Sequence, residues 1–442
     1  MPLVRDVSET PTADEFTSHL DPPIIPPRPG NWRTKLRGTG DPKLRPTAEF
    51  VARIALLMSL VALSIDSMLP ALGDIAAELG VNNPNDRQLV LTAFFLALGI
   101  GQLFYGPVSD TTGRKPAVTF GLALYLCGTL LAILATRFDI LLFGRFLQGA
   151  GAAGPRIVSL ALIRDRHGGR DMARVFSLIM AVFVMAPVLA PAVGQLILQF
   201  ASWRSIFVAL LVLATVALFW FLWRQPETLP PHRRAPLSLH YIAGAVFECL
   251  RSRVTMGYSL TSGLVFGAFV VYLVTSQQMY QEIYGLGRLF PLAFAVPALA
   301  IGGASVLNAR LVMRLGMRRL CRLALRSASV LSLLFVVAVI ATGGLPPLWL
   351  LMTYLVACFF FVGISFGNLN ALAMEPLGHI AGVGSALISF IATTVSVAIG
   401  TVVGRSYSGT LYPLAFSFAG LVLASVLVVE WTERGRKEVS SS

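Results

Sequence analysis

The run Gly106-Pro107-Val108-Ser109-Asp110-Thr111-Thr112-Gly113-Arg114-Lys115-Pro116 separates two stretches, 88–108 and 116–136, that contain no Asp, Glu, Lys or Arg. Each stretch has the roughly 20 apolar residues that an α-helix needs to cross a bilayer. The run is therefore a polar turn between two membrane helices. Its glycines allow a tight turn, and Pro116 suits the first turn of the following helix. Asp110 can bind a nearby helix N-terminus or Arg114. A plain connection needs only a glycine or two, so the added charges suit a latch that holds one conformation.

The same pattern recurs on both sides. Approximate spans are 48–72, 88–108, 116–136, 139–162, 173–200, 203–223, 255–279, 290–312, 320–341, 346–372, 380–403 and 408–431. The chain of 442 residues is 55% hydrophobic and 13% charged, with mean hydropathy +0.73, whereas a soluble domain carries roughly 25% charged residues. These stretches are too long and too continuously apolar for barrel strands, and helices satisfy their own backbone groups in lipid. The expectation is an all-α polytopic membrane protein of twelve helices.

The net charge of +13 would raise nucleic-acid binding in a soluble protein, but its distribution argues otherwise. Arg87, Arg137, Arg204, Arg288 and Arg405 fall in odd-numbered connections, and Arg145 and Arg156 fall inside a span. Most of the others lie in the N-terminal tail, the even-numbered connections and the C-terminal tail. That asymmetry places both termini in the cytoplasm, and no nucleic-acid partner is expected. Residues 1–47 carry proline and charge without apolar periodicity and read as a disordered cytoplasmic tail, in which Trp32, Arg33, Lys35, Arg37, Lys43 and Arg45 can touch anionic headgroups. Cys127, Cys249, Cys321 and Cys358 show no CxxC or metal-ligand spacing, so neither a disulfide framework nor a metal site is indicated.

The polar interruption 224–254 holds Pro226, Pro230, Pro231, Pro236, Arg233, Arg234, Arg251 and Arg253. It reads as a cytoplasmic linker between two six-helix halves, 48–223 and 255–431, with 432–442 as a short cytoplasmic tail. Gly113-Arg114-Lys115 is echoed by Gly316-Met317-Arg318-Arg319, an offset that two six-helix repeats explain. The Asp of the first turn has no acidic counterpart in the second.

Asp66, within Ser64-Ile65-Asp66-Ser67-Met68-Leu69-Pro70, is the only acidic residue deep in the first span. A charge at the bilayer centre costs about 2.5–3.5 kcal/mol on insertion scales. Either the span ends early and Asp66 is wet, or Asp66 lines a cavity and exchanges a proton as water access changes. Arg145, in Phe143-Gly144-Arg145-Phe146-Leu147-Gln148-Gly149, lies at a similar depth, so the two can meet, as a coupling site or as a structural pair. Gln148, Gly149, Gly151 and Gly154 make this fourth helix thin enough for close packing. Arg156 either snorkels toward Arg164 and Asp165 or acts within the span. In the fifth span Pro187 and Pro191, four residues apart around Ala190 and followed by Gly194, each remove a backbone hydrogen bond and mark a cavity-lining or kinked segment.

These residues resemble the major facilitator superfamily, and within it the bicyclomycin and chloramphenicol resistance (Bcr/CflA) branch of drug:proton antiporters, over roughly residues 48–430. Gly106, Asp110, Gly113, Arg114 and Lys115 look like its loop signature between the second and third helices. Arg145, Gln148 and Gly149 look like its fourth-helix motif, and Ala190, Pro191 and Gly194 like its fifth-helix antiporter motif, with Ala190 and Gln195 departing from the usual glycines. Asp66 and Pro70 stand where the branch carries a first-helix Asp and Pro. The resemblance implies two pseudo-symmetric six-helix halves rocking about a central cavity, a monomer in the bacterial inner membrane, and proton coupling through Asp66 and Arg145.

The leading expectation is a proton-coupled exporter of small amphipathic compounds such as drugs. Its partners would be a small-molecule substrate, protons and the lipid bilayer, and no cofactor is expected. The alternative is a narrow-specificity transporter of an amino acid, siderophore or natural product, with Asn308, Asn368, Asn370 and Glu375 as specificity groups. A membrane sensor without transport is a third reading. No nucleophile triad, phosphate-binding loop or metal constellation is legible, so an enzyme is not expected.

Overall fold

The computed structural model describes residues 48–167, 169–234 and 239–434. The expected N-terminal tail, Pro236 in the linker and nearly all of the expected C-terminal tail lie outside those residues. The twelve expected spans are present as helices: α1 (Ala48–Asp66), α3 (Leu89–Thr112), α4 (Arg114–Ile133), α5 (Phe138–Arg166), α6 (Gly169–Leu198), α7 (Arg204–Arg224), α9 (Arg253–Gln277), α10 (Phe290–Leu315), α11 (Met317–Ala341), α12 (Leu348–Met374), α13 (Ala381–Arg405) and α14 (Tyr412–Glu433). Two shorter helices complete the set, α2 (Leu72–Glu78) after the first span and α8 (Leu239–Arg251) in the expected linker. The described residues form eleven segments long and apolar enough to cross a membrane, one of which, Leu348–Arg405, contains both α12 and α13. A short 3-10 turn, Glu375–Ile380, joins that pair.

Each boundary has a local cause. Gly113 and Gly316, the echoed glycines of the two halves, both hold positive φ, 110° and 74°. That left-handed region is sterically open to glycine, and each glycine stands immediately before a new span. Ser252 caps α9 by accepting a hydrogen bond from the Thr255 amide at 3.2 Å. α1 ends at Asp66 and continues through a 3-10 turn, Leu69–Ala71, that has Pro70 in its first turn.

Small residues set the helix spacing in the first half. A methyl group on Gly151 of α5 would stand 2.3 Å from the Tyr125 amide nitrogen of α4, and one on Gly149 would stand 2.1 Å from the Phe94 carbonyl of α3. Such contact lets backbones approach where apolar burial gives no net drive between helices. Large apolar side chains such as Phe104, Phe120, Phe143, Trp223 and Trp349 stay exposed, as a surface solvated by acyl chains requires. Between the halves, α3 packs on α13 and α6 on α10.

The linker is more ordered than its composition suggests. α8 buries Ala245 and Cys249, leaves Phe247 and Leu250 exposed beside Glu248 and Arg251, and lies against α9 and α13. Its Glu248 meets His379 of the Glu375–Ile380 turn at 2.8 Å.

Candidate functional site

Asp66 closes α1 with 3% of its surface exposed. Among the described residues its carboxylate enters no hydrogen bond or ion pair. Three neighbours define its place. The Ser67 hydroxyl donates to the Leu63 carbonyl at 2.6 Å, which holds the helix end together. Gly194 of α6 leaves no room beside it, since a Cβ there would stand 2.1 Å from the Ser67 carbonyl oxygen. In the other half, Tyr272 of α9 lies within electrostatic reach of Asp66, with its hydroxyl on the Phe294 carbonyl at 3.2 Å and its ring stacked on Phe294.

Arg145 is fully buried and does not pair with Asp66. Its Nε donates to the Val90 carbonyl at 3.2 Å, and its Nη1 donates to Gln148 Oε1 at 2.5 Å. Its guanidinium stands 4.6 Å from the Phe94 ring centre and 5.8 Å from that of Phe207. Nη2 has no partner. The cation is thus held by a carbonyl, an amide and two aromatic faces, on the side of α5 that meets α3 and α7, while Asp66 turns toward α6 and α9. Equal depth in the span did not translate into contact because the two side chains leave their helices in different directions.

A polar chain nonetheless runs from Arg145 to the neighbourhood of Asp66. Gln148 Nε2 donates to Thr129 Oγ1 at 2.9 Å, and Thr129 donates to the Tyr125 carbonyl at 2.7 Å. The Tyr125 hydroxyl lies 2.6 Å from the Ser64 hydroxyl, two residues before Asp66. Every side chain in this chain is buried, so each depends on its partner to offset lost hydration. Thr129 and Ser64 were missed as members. The available signal was their position as hydroxyl residues inside otherwise apolar spans.

The loop between α3 and α4 is held by ion pairs and hydrogen bonds, with a partner that the sequence left unassigned. Arg114 Nη1 meets Asp110 at 2.5 Å and Nε meets Asp165 at 3.0 Å, and Ser109 accepts from Nη1 at 2.7 Å. Glu227, from the linker, caps the start of α4: its two carboxylate oxygens accept the Arg114 and Lys115 amides, each at 3.0 Å. Lys115 Nζ donates to the Leu222 carbonyl at 2.7 Å. Burial pushes the Glu227 carboxyl up, but the amides of Leu229, Lys115, Arg114 and Thr228 outweigh it and hold it below the usual carboxylate range. Gly113 lies under Glu227, where a Cβ would meet its carboxylate at 2.6 Å. Gly106 has open space at its Cβ, and Pro107 stands within α3 without ending it.

Pro187 and Pro191 lie within the single helix α6, with Ala190, Pro191 and Gly194 buried and Pro187 half-buried. The motif contributes a contact: Gly194 brings α6 against the end of α1. In the second half, Asn368 donates to Asn308 at 2.7 Å, Asn370 to the Phe366 carbonyl at 3.1 Å, and Glu375 pairs with Arg318.

At the end of the bundle where α1 stops, the halves are tied together. Arg87 meets Glu282 at 2.6 Å and Arg405 meets Asp86 at 3.0 Å. Gln88 donates to Gln278 at 2.6 Å, and Gln278 donates in turn to Asn85 at 2.9 Å. The Asn85 amide donates to the Arg405 and Tyr407 carbonyls, and Thr92 lies 3.1 Å from Thr401.

The arrangement has counterparts among known proteins. An MFS-type transporter of Bacillus subtilis, YdgK, is 31% identical over 86% of this chain and 96% of its own length. A bicyclomycin resistance protein homolog of Haemophilus influenzae is 30% identical over 86% of this chain and 94% of its own. The crystal structure of a D-xylose-proton symporter shares the fold at a TM-score of 0.68 and 13% identity, covering 89% of this chain and 99% of that one. The twelve spans and latched loop agree with the family match over residues 54–401: this chain is a transporter, not an enzyme, and it belongs to the Major Facilitator Superfamily.

Proposed function

We propose that the protein is a proton-coupled exporter of small amphipathic compounds, drugs among them, working by alternating access as a monomer in the bacterial inner membrane with both termini cytoplasmic. The observation that carries this reading is Asp66: a buried carboxyl group with no cation or hydrogen-bond donor on it, placed where α1, α6 and α9 meet. A proton bound there is not locked by a partner, so it can leave when the halves rock and water arrives. The resistance protein homolog among its relatives supports drugs as cargo. The bonds joining Arg87, Asn85, Asp86 and Gln88 to the second half correspond, on this reading, to a state closed toward the outside.

The test is proton movement in proteoliposomes loaded with a pH-sensitive dye, with wild type beside Asp66→Asn. Substrate addition should release protons from the wild type and not from the variant. Proton-coupled flux that survives in Asp66→Asn removes Asp66 as the carrier.

A further inference from the structure

A groove of about 590 Å³ opens where α4 meets the linker, apart from Asp66 and from the bonds that join the halves. One face of α4 makes its floor. Lys115, Thr119 and Ala123 follow at intervals of four, with Pro116 and Phe120 beside them, so the five form a single stripe along the helix. Pro116, Phe120 and Ala123 are exposed, Phe120 at 64%. The span Arg114–Ile133 has 20 residues, about 30 Å at 1.5 Å per residue, which matches the hydrocarbon thickness of a bilayer with little to spare. Lys115 therefore stands at the level of the lipid headgroups. Phe120 and Ala123 stand about 8 and 12 Å deeper, among acyl chains.

Two cations meet at the headgroup end, and no carboxylate neutralises either. Lys115 Nζ donates to the Leu222 carbonyl at 2.7 Å, which leaves two of its three N–H groups and all of its charge. The Arg234 guanidinium lies over the loop two residues before Lys115: a Cβ on Gly113 would stand 3.1 Å from Nη2. Its Nε is buried without a partner, and among the described residues Arg234 enters no ion pair. Glu227 is the one acid in the wall, and its oxygens are taken by the amides of Arg114, Lys115, Thr228 and Leu229 at 2.9–3.0 Å. Uncompensated cations above an exposed apolar stripe are complementary to an amphiphile with an anionic head and an apolar tail. A phosphodiester accepts from both cations through charge-assisted bonds.

We propose that this groove binds an anionic phospholipid, its phosphate between Lys115 and Arg234 and an acyl chain along Pro116, Phe120 and Ala123. The site goes beyond the transport reading, since it requires neither proton coupling nor a drug as cargo.

The experiment is native mass spectrometry of the purified full-length protein, titrated with phosphatidylglycerol, phosphatidylcholine or inorganic phosphate to obtain an apparent Kd for the first molecule bound. Phosphatidylglycerol should bind at least tenfold more tightly than phosphatidylcholine. Arg234→Gln should weaken it about fivefold, the weight of one cation near an anionic surface, and Lys115→Gln with Arg234→Gln should weaken it further. Phe120→Ala, at an exposed side chain whose loss does not threaten folding, should weaken both lipids severalfold. The control is Arg310→Gln with Arg314→Gln, two exposed cations before the matching turn at Gly316, which should stay within twofold of wild type. Equal loss in that control shows attraction by general charge and overturns the site. Equal affinity for the two lipids, unchanged binding in Arg234→Gln or Phe120→Ala, or inorganic phosphate binding as tightly as phosphatidylglycerol overturns it as well.

Discussion

The Ser64 hydroxyl lies 2.6 Å from the Tyr125 hydroxyl, and through that bond the first span becomes the last member of a chain that begins at Arg145. The relationship ties the fourth-span arginine to the first span, two residues from Asp66, without an ion pair. Removing the bond with Tyr125→Phe should cost about 1–2 kcal/mol of stability, because it leaves the buried Ser64 hydroxyl with only the Leu60 carbonyl. Transport should fall severalfold. Arg145→Lys should fall further, at least tenfold, since a point charge cannot reach both the Val90 carbonyl and Gln148. Initial rates of dye efflux at matched expression check both.

Gly194 allows α6 to touch the Ser67 carbonyl, so its substitution acts directly beside Asp66. Gly194→Ala should cost about 1–3 kcal/mol through overpacking and abolish most proton-linked flux. Gly106→Ala, where space is open, should be nearly silent in the same assay. Equal effects of the two would show that steric contact with α1 is not what the glycine provides.

Glu227 ties the linker to the start of α4. Glu227→Gln should weaken this latch by about 1–3 kcal/mol, the scale of hydrogen bonds to a charged group, and raise protease nicking of the 224–254 segment. Its folded value lies below the usual carboxylate range. Its contribution is therefore present above the unfolded value near about 4.3 and is lost only as pH falls through the lower folded value. Between about pH 5 and 8 the pH profile of transport should keep its shape in Glu227→Gln, whereas Asp66→Asn should flatten it.

The bonds between the halves at the Arg87 end predict a conformational readout. Arg87→Ala combined with Arg405→Ala removes both ion pairs, to Glu282 and Asp86, each with an exposed member worth roughly 0–1 kcal/mol. A cysteine placed at Thr92, which faces Thr401, should then react several times faster with a membrane-impermeant thiol reagent added outside the cell.

Much of the architecture was legible because lipid imposes a length and a composition on every span. The echo of Gly113 in Gly316 correctly marked two equivalent turns, each a glycine at positive φ. The sequence left the second turn without acids, yet Glu375 and Glu433 meet Arg318 from other helices: long-range partners leave no local pattern. The same holds for Glu227, which looked like one charge in a polar linker. Depth along a helix could be counted for Asp66 and Arg145, but the direction in which each side chain leaves its helix depends on which neighbours pack there. That is why the pair appeared possible in one dimension and is absent in three. α8 was hidden in the linker because thirteen residues are too few to register as a span.

The polar chain from Arg145 through Gln148, Thr129 and Tyr125 to Ser64 draws all its members from one half of the protein. The set at Arg87, Asn85 and Gln88 draws from both. If the halves move as rigid bodies, the first set is carried along intact on every turnover, while the second must break and reform. The second set is suited to that duty at its rim, where the exposed Glu282 and Arg405 can exchange a partner for solvent at little cost, while the buried Gln88–Gln278 bond makes its parting the slower step. Wear in the first would be a folding defect; wear in the second would be a change of tempo.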